Sequence, residues 1–195
     1  MTLGAGFADP VLDGQACFRA VLDALAHPGR IVTADAPDPP LPLDPATAAV
    51  LLTLVDAETP LWMDDAAAPA RDWIAFHCAA PLAARGEAAF GLSLGALPLA
   101  GLNTGTDDAP EDGATLILQV AALGRGLPLR LSGPGLAAPA VLRVDGLALG
   151  FIQEWTANHA MFPRGVDLIL CAGSRLAALP RSVRIEEGWG WPTSP

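Results

Sequence analysis

The stretch Ala114-Thr115-Leu116-Ile117-Leu118-Gln119-Val120 decides the reading of this chain. A strand with one wet face alternates apolar and polar residues, whereas a nearly continuous apolar run marks a strand covered on both faces. This run therefore predicts the central strand of a sheet with layers above and below it. Working outward, residues 127–131 form a second strand that stops at Ser132-Gly133-Pro134-Gly135. Upstream, residues 61–63 and 90–94 read as shorter strands, and Ile31-Val32-Thr33 as a brief one. Downstream, residues 166–171, 176–179 and 183–186 read as three consecutive short strands. The first pair is joined by a tight Gly173-Ser174 turn.

Helices fill the gaps. Asp9-Pro10 offers an acidic N-cap with proline at the first helical position. Phe18, Val21, Leu22 and Leu25 then follow the spacing of an amphipathic helix, ended by Pro28-Gly29. Asp44-Pro45 repeats the start signal for a helix over residues 46–56, after a proline-rich loop over 34–42. Residues 71–78 form a third helix before Pro81, and residues 147–158 a fourth, with Leu149, Ile152, Trp155 and Phe151 toward the core. Helices dominate the first half and strands the second. The expectation is one α/β domain over residues 1–195, built on a mixed sheet with helices on both faces and a strand meander near its end. The tail over 187–195, with Trp189 and Trp191 among Gly and Pro, stays irregular.

Composition removes several function classes. All eleven basic residues are Arg. Without Lys there is no Schiff base for pyridoxal phosphate (PLP) and no P-loop lysine for a nucleotide. The formal net charge of −10 argues against non-specific nucleic-acid binding. That charge is uneven: residues 1–120 hold 4 Arg against 16 acids, and residues 121–195 hold 7 Arg against 5. An anion would more readily meet the C-terminal third. The longest uncharged stretch, residues 88–106, is broken by Gly91, Gly95, Pro98, Gly101 and Gly105, so no membrane span is expected. No basic residue precedes Arg19 and no apolar leader is visible, which points to the cytoplasm. Cys17, Cys78 and Cys171 share no metal-type spacing with one another or with the three histidines, so no metal is expected.

Several segments have the residue types for anion chemistry. In Asn103-Thr104-Gly105-Thr106, the hydroxyls and a backbone N–H near Gly105 could hold an oxyanion, though the same pattern makes an ordinary turn. Glu111, in Pro110-Glu111-Asp112-Gly113, is either a base at the head of the central strand or a solvated turn acid. His77 closes the third helix, where it can exchange a proton, donate to phosphate, or simply complement the helix dipole. Ser132-Gly133-Pro134-Gly135 permits close backbone approach to a ligand or to another chain, and equally makes a plain turn fixed by Pro134. Arg164, between Pro163 and Gly165, sits on a stiff turn, and Arg181 follows Pro180 at a strand edge. Held guanidiniums of this kind suit bidentate phosphate binding, and they equally suit ion pairs.

Taken in order, these segments resemble the H subunit family of the bacterial carbon–phosphorus lyase system. The matching stretches run from Cys17-Phe18-Arg19 and His27-Pro28-Gly29 through Val50-Leu51-Leu52-Thr53-Leu54 and Glu58-Thr59-Pro60. They continue with Phe76-His77, Thr104-Gly105-Thr106, Pro110-Glu111 and residues 113–120, then Leu131-Ser132-Gly133-Pro134-Gly135, residues 162–170 and Leu179-Pro180-Arg181. The chain departs from the family at Ser182-Val183, where two threonines are usual, and at Cys78-Ala79, where a threonine and a small or polar residue are usual.

The resemblance implies a fold like the large domain of PLP-dependent transferases, without the cofactor. It implies a homodimer in isolation and assembly with sister G, I and J subunits. It also implies a part in replacing the adenine of ATP with an alkylphosphonate, to give a ribose 1-phosphonate 5-triphosphate. The competing expectations are a purely structural adaptor and a stand-alone enzyme using His77 or Glu111 as acid–base.

Overall fold

The run over 115–119 lies in the middle of a six-stranded sheet. The computed structural model describes residues 4–34, 36, 38–95 and 99–186, so the tail over 187–195 lies outside the described residues. The central strand, β4 (Thr115–Gln119), pairs in parallel with β3 (Phe90–Leu94) on one side and β7 (Asp167–Ala172) on the other. Leu116 and Leu118 belong to the apolar core on one face, Ile117 to the core on the other, and none is more than 1% exposed. The double-sided burial read from the sequence is therefore present.

Beyond β3 the sheet adds parallel β2 (Leu61–Met63). Beyond β7 it adds antiparallel β8 (Arg175–Leu179), and β1 (Val32–Thr33) closes that edge antiparallel to β8. The sheet is mixed, as expected. The β7–β8 connection is the two-residue Gly173-Ser174 turn, with Gly173 at φ +57°, a conformation that tight hairpins require.

The two faces are covered differently. On one lie α1 (Pro10–Ala26), α2 (Pro45–Leu54) and α3 (Arg71–Cys78), which pack on Leu92, Ile117, Ile169 and Leu176. Among the described residues, the other face carries one α-helix, α4 (Phe151–Ala160), beside a separate three-stranded antiparallel sheet. That sheet has β5 (Ala122–Ser132) in its centre, between β6 (Ala140–Asp145) and β9 (Arg184–Ile185). The expectation of a single sheet with helices on both faces is corrected accordingly: on the second face, strands do most of the covering.

The expected terminal meander stops after its first hairpin. β9 leaves β8 and pairs with Leu131 and Ser132 of β5. Its position is fixed from the core, where Val183 is fully buried and its carbonyl accepts from the Trp155 indole at 2.9 Å.

Local signals mostly hold, with instructive exceptions. The Asp9 carboxylate caps α1 by accepting from the N–H groups of Val11 and Leu12, both at 3.0 Å. Asp44, the matching signal, does not cap α2. Its carboxylate instead accepts from Gly173 N–H at 2.8 Å, tying the β7–β8 turn to the start of α2.

On α1 the buried stripe is Cys17, Val21 and Ala24, whereas Phe18 and Leu22 are about half exposed. The small side chains face the alanine-rich α2, whose Ala46, Ala48 and Ala49 are fully buried. The fourth helix starts at Phe151, after Gly150 at φ +89°, which leaves Leu149 exposed rather than in the core.

Candidate functional site

Six of the seven residues singled out from the sequence are drawn together at one end of the central sheet, where β4 and β7 begin. The loop over 103–113 packs beside the turn over 162–166, and the Gly165 N–H donates to the Thr104 carbonyl at 2.8 Å. Arg181 reaches in from the end of β8. It donates through Nε and Nη2 to Asp167 Oδ2 at 3.1 and 2.6 Å, through Nη1 to the Pro110 carbonyl at 2.6 Å, and through Nη2 to the Gly113 carbonyl at 3.3 Å. Its backbone N–H also meets Asp167 Oδ1 at 2.7 Å.

A guanidinium has five N–H donors, and these bonds engage most of them. The side chain is only 12% exposed. Arg181 is therefore a staple between loops, and the expectation that it presents donors to a bound anion is corrected. Gly113 leaves room for this staple, since a Cβ there would lie 2.4 Å from Arg181 Nη1 and 2.3 Å from the Gly165 carbonyl.

The neighbouring loop is similarly self-satisfied. Gly105 N–H donates to Asn103 Oδ1 at 3.0 Å, Thr106 N–H to the Ala109 carbonyl at 3.1 Å, and Ala109 N–H to Thr106 Oγ1 at 3.0 Å. The outward-pointing N–H expected near Gly105 is therefore turned inward, with the N–H groups of Gly105 and Thr106 closing the turn and the Thr106 hydroxyl accepting within it. Glu111 is exposed on the 3-10 turn Pro110–Asp112 and lines a hollow with Glu87 and Asp112, an acidic setting that repels anions.

Arg164 is half-buried at the edge of this group. Its Nε, itself shielded from solvent, lies 2.9 Å from the carboxylate of Asp107, which is 86% exposed. His77 is not part of this group. On α3, across the sheet, it donates from Nε2 to the Gly4 carbonyl at 3.0 Å and packs at a tilt of 48° against Trp73, anchoring the N-terminal segment.

Among the described residues, no group of three or more His, Cys, Asp or Glu is placed to hold a metal ion, and no helix is long and apolar enough to cross a membrane. A family model described as bacterial phosphonate metabolism protein (PhnH) matches residues 5–186. The chain belongs to the PhnH family. It is 40% identical over 189 residues to the alpha-D-ribose 1-methylphosphonate 5-triphosphate synthase subunit PhnH of Rhizobium meliloti (strain 1021), covering 92% of this chain and 94% of that relative. It is also 37% identical over 173 residues to a protein named as a C-P lyase subunit protein, HtxG of Stutzerimonas stutzeri, covering 88% and 85%.

Within this PhnH-family chain, one further cluster escaped the sequence reading. His159 on α4 and Arg184 on β9 meet in a cleft beside the same turn that carries Arg164. They are 25 residues apart, and no local motif joins them. The partial signals were Phe162, in the distinctive turn, and the Ser132-Gly133 loop, both of which border the cleft.

The cysteines offer no nucleophile. All three are buried, and burial pushes each thiol up, that of Cys78 to about 11 with the nearby Asp56 carboxylate adding to the shift. The thiolate is the reactive form, so the folded protein should resist iodoacetamide at pH 7.5 and label at all three positions only in denaturant. Rapid alkylation of the native chain, read by mass spectrometry, would contradict this.

Proposed function

We propose that this chain is the H-type subunit of a cytoplasmic, multi-subunit carbon–phosphorus lyase assembly. In that assembly it takes part in replacing the adenine of ATP with an alkylphosphonate. One observation carries the reading: the similarity to a named subunit of that synthase is collinear over 92% of this chain and 94% of the relative. Correspondence over nearly whole lengths favours equivalent subunits over a shared module.

The same reading makes the protein a one-domain subunit that works without PLP, since no lysine is present to form the imine. It makes the fold a relative of the large domain of PLP-dependent transferases. The parallel core β2–β3–β4–β7, edged by antiparallel β8, supports that kinship.

Assembly is supported by the exposed side of α1. Val11 and Leu12 are 65% and 62% exposed, and Phe18 and Leu22 leave half their surface uncovered. Large apolar residues gathered on one exposed helix mark surface that is covered in an assembly. A second copy of the chain and the sister G, I and J subunits are the proposed partners. The adaptor alternative differs in one respect, because an adaptor needs no ligand of its own.

The test is co-expression of the tagged chain with its G, I and J neighbours in a strain lacking its own system. Stable co-purification, with growth on methylphosphonate as sole phosphorus source only when this chain is present, is the expected result. Growth without it, or turnover of ATP by the isolated chain, would overturn the proposal. Phe18→Glu with Leu22→Glu should leave the fold intact and abolish co-purification.

A further inference from the structure

The cleft between α4 and β9 joins two hollows of about 610 and 370 Å³ that share His159, Phe162 and Arg184. Small-molecule sites commonly fall in this size range. We propose that this cleft binds an organic phosphorus dianion, a tetrahedral phosphate or phosphonate group carrying a flat or apolar substituent, with Arg184 on the oxyanion and Phe162 against the substituent. The site belongs to this chain alone and does not require the assembly described above.

The arrangement of donors carries the argument. His159 Nδ1 lies 2.9 Å from the Arg181 carbonyl, which can only accept, so Nδ1 bears the proton. Nε2 then presents its lone pair, and it accepts from Arg184 Nε–H at 2.9 Å. The chain Arg181 carbonyl, His159, Arg184 thus grips the guanidinium by its inner nitrogen. The two terminal amino groups of Arg184 make no hydrogen bond among the described residues, and no carboxylate there pairs with it. A guanidinium oriented in this way and left with two parallel donors suits a two-oxygen contact to a phosphorus oxyanion.

The walls match that ligand. Neither hollow is lined by an Asp or Glu, in a protein whose formal net charge is −10. The hydroxyls of Ser132 and Ser182, at the far side of the cleft, make no hydrogen bond among the described residues and can donate to a second oxygen. Gly133 keeps this side close, because a Cβ there would lie 2.9 Å from the Ser182 carbonyl. The apolar side is formed by Phe162, 57% exposed, and by Ala160. An inorganic anion would use only the first half of such a cleft, whereas a ring-bearing one uses both.

Isothermal titration of the full isolated chain with phenylphosphonate, phenyl phosphate, inorganic phosphate and benzyl alcohol tests the site. Both ring-bearing anions should bind more tightly than inorganic phosphate, and benzyl alcohol least; whichever of the two binds better identifies the source of the headgroup. Arg184→Ala should weaken both by about 10- to 100-fold, the loss expected for hydrogen bonds to a charged group. Arg184→Lys should recover only part, since it restores charge without the fork. Phe162→Ala should weaken the ring-bearing probes and leave inorganic phosphate unchanged. Thermal unfolding of each variant verifies the fold, which an exposed arginine should not disturb. The proposal fails if no phosphorus anion binds at millimolar concentration, or if Arg184→Ala binds as well as the parent. It also fails if the probes do not bind while Arg184→Ala abolishes co-purification with the sister subunits, which would make the cleft a subunit contact.

Discussion

Replacing Arg181 with alanine should destabilise the protein by about 3–5 kcal/mol, the range for breaking a largely buried ion pair by removing one partner. The variant leaves the Asp167 carboxylate unpaired, and it deprives the Pro110 and Gly113 carbonyls of their donor. Exposures of 12% for Arg181 and 25% for Asp167 keep water from replacing the lost contacts. The midpoint of urea unfolding should fall accordingly, with the slope unchanged. Adding Asp167→Ala to Arg181→Ala should cost much less than the sum of the two single changes, because the orphaned charge goes with it. A single variant as stable as the parent would show that the loops close without their staple. Loss of phosphonate growth in Arg181→Ala would then reflect less folded protein, and equal soluble levels of the variant and the parent would refute that explanation.

Arg164 and Arg181 looked alike in sequence: each adjoins a proline, and both lie in the C-terminal third, the part of the chain with positive balance. A guanidinium fixed for phosphate and one fixed for an internal carboxylate use the same planar fork, so local pattern cannot separate them. What separates them is the partner. Asp167, three residues after Arg164, pairs with Arg181, fourteen residues away across the β7–β8 hairpin. Arg164 turns instead to Asp107 on another loop. The convergence of the 103–113 loop, the 162–166 turn and Arg181 was thus present in the quoted segments, but which of them face solvent was not.

The fold divides along the same line. Runs buried on both faces, such as β4 and β7, are legible because their composition alone is decisive. β6 was not legible as a run. Its Val141 and Arg143 are exposed, while Leu142 and Val144 are buried, an alternation that only a period-2 count detects. The departure of β9 to the second sheet depends on Val183 and Trp155, 28 residues apart, and no short-range rule announces such a contact.

Asn158→Asp should be nearly as stable as the parent near pH 4 and less stable by on the order of 3 kcal/mol at pH 7.5. Asn158 is 2% exposed, and its amide clamps one residue of the turn. Nδ2 donates to the Val166 carbonyl at 2.9 Å, and Oδ1 accepts from the Val166 N–H at 2.8 Å. A protonated aspartic acid can reproduce both bonds, but an ionised one sets a carboxylate oxygen against the Val166 carbonyl. Burial and that repulsion raise the folded pKa above the unfolded value of roughly 3.9. Between those two values the native variant holds a proton that the unfolded chain has lost. Stability relative to the parent is therefore retained below the unfolded pKa and falls as pH rises through the folded one. Urea unfolding of the parent and the variant at both pH values gives the difference directly, with the other carboxylates cancelling between them. Asn158→Leu serves as the control: it loses both bonds at every pH, at a cost of about 2–5 kcal/mol. A difference for Asn158→Asp that does not change with pH would show that the amide is replaceable by solvent. Phe162 and Arg164 both ride on the turn that this amide holds. Binding of phenylphosphonate by Asn158→Asp should accordingly weaken at pH 7.5 in step with the lost stability.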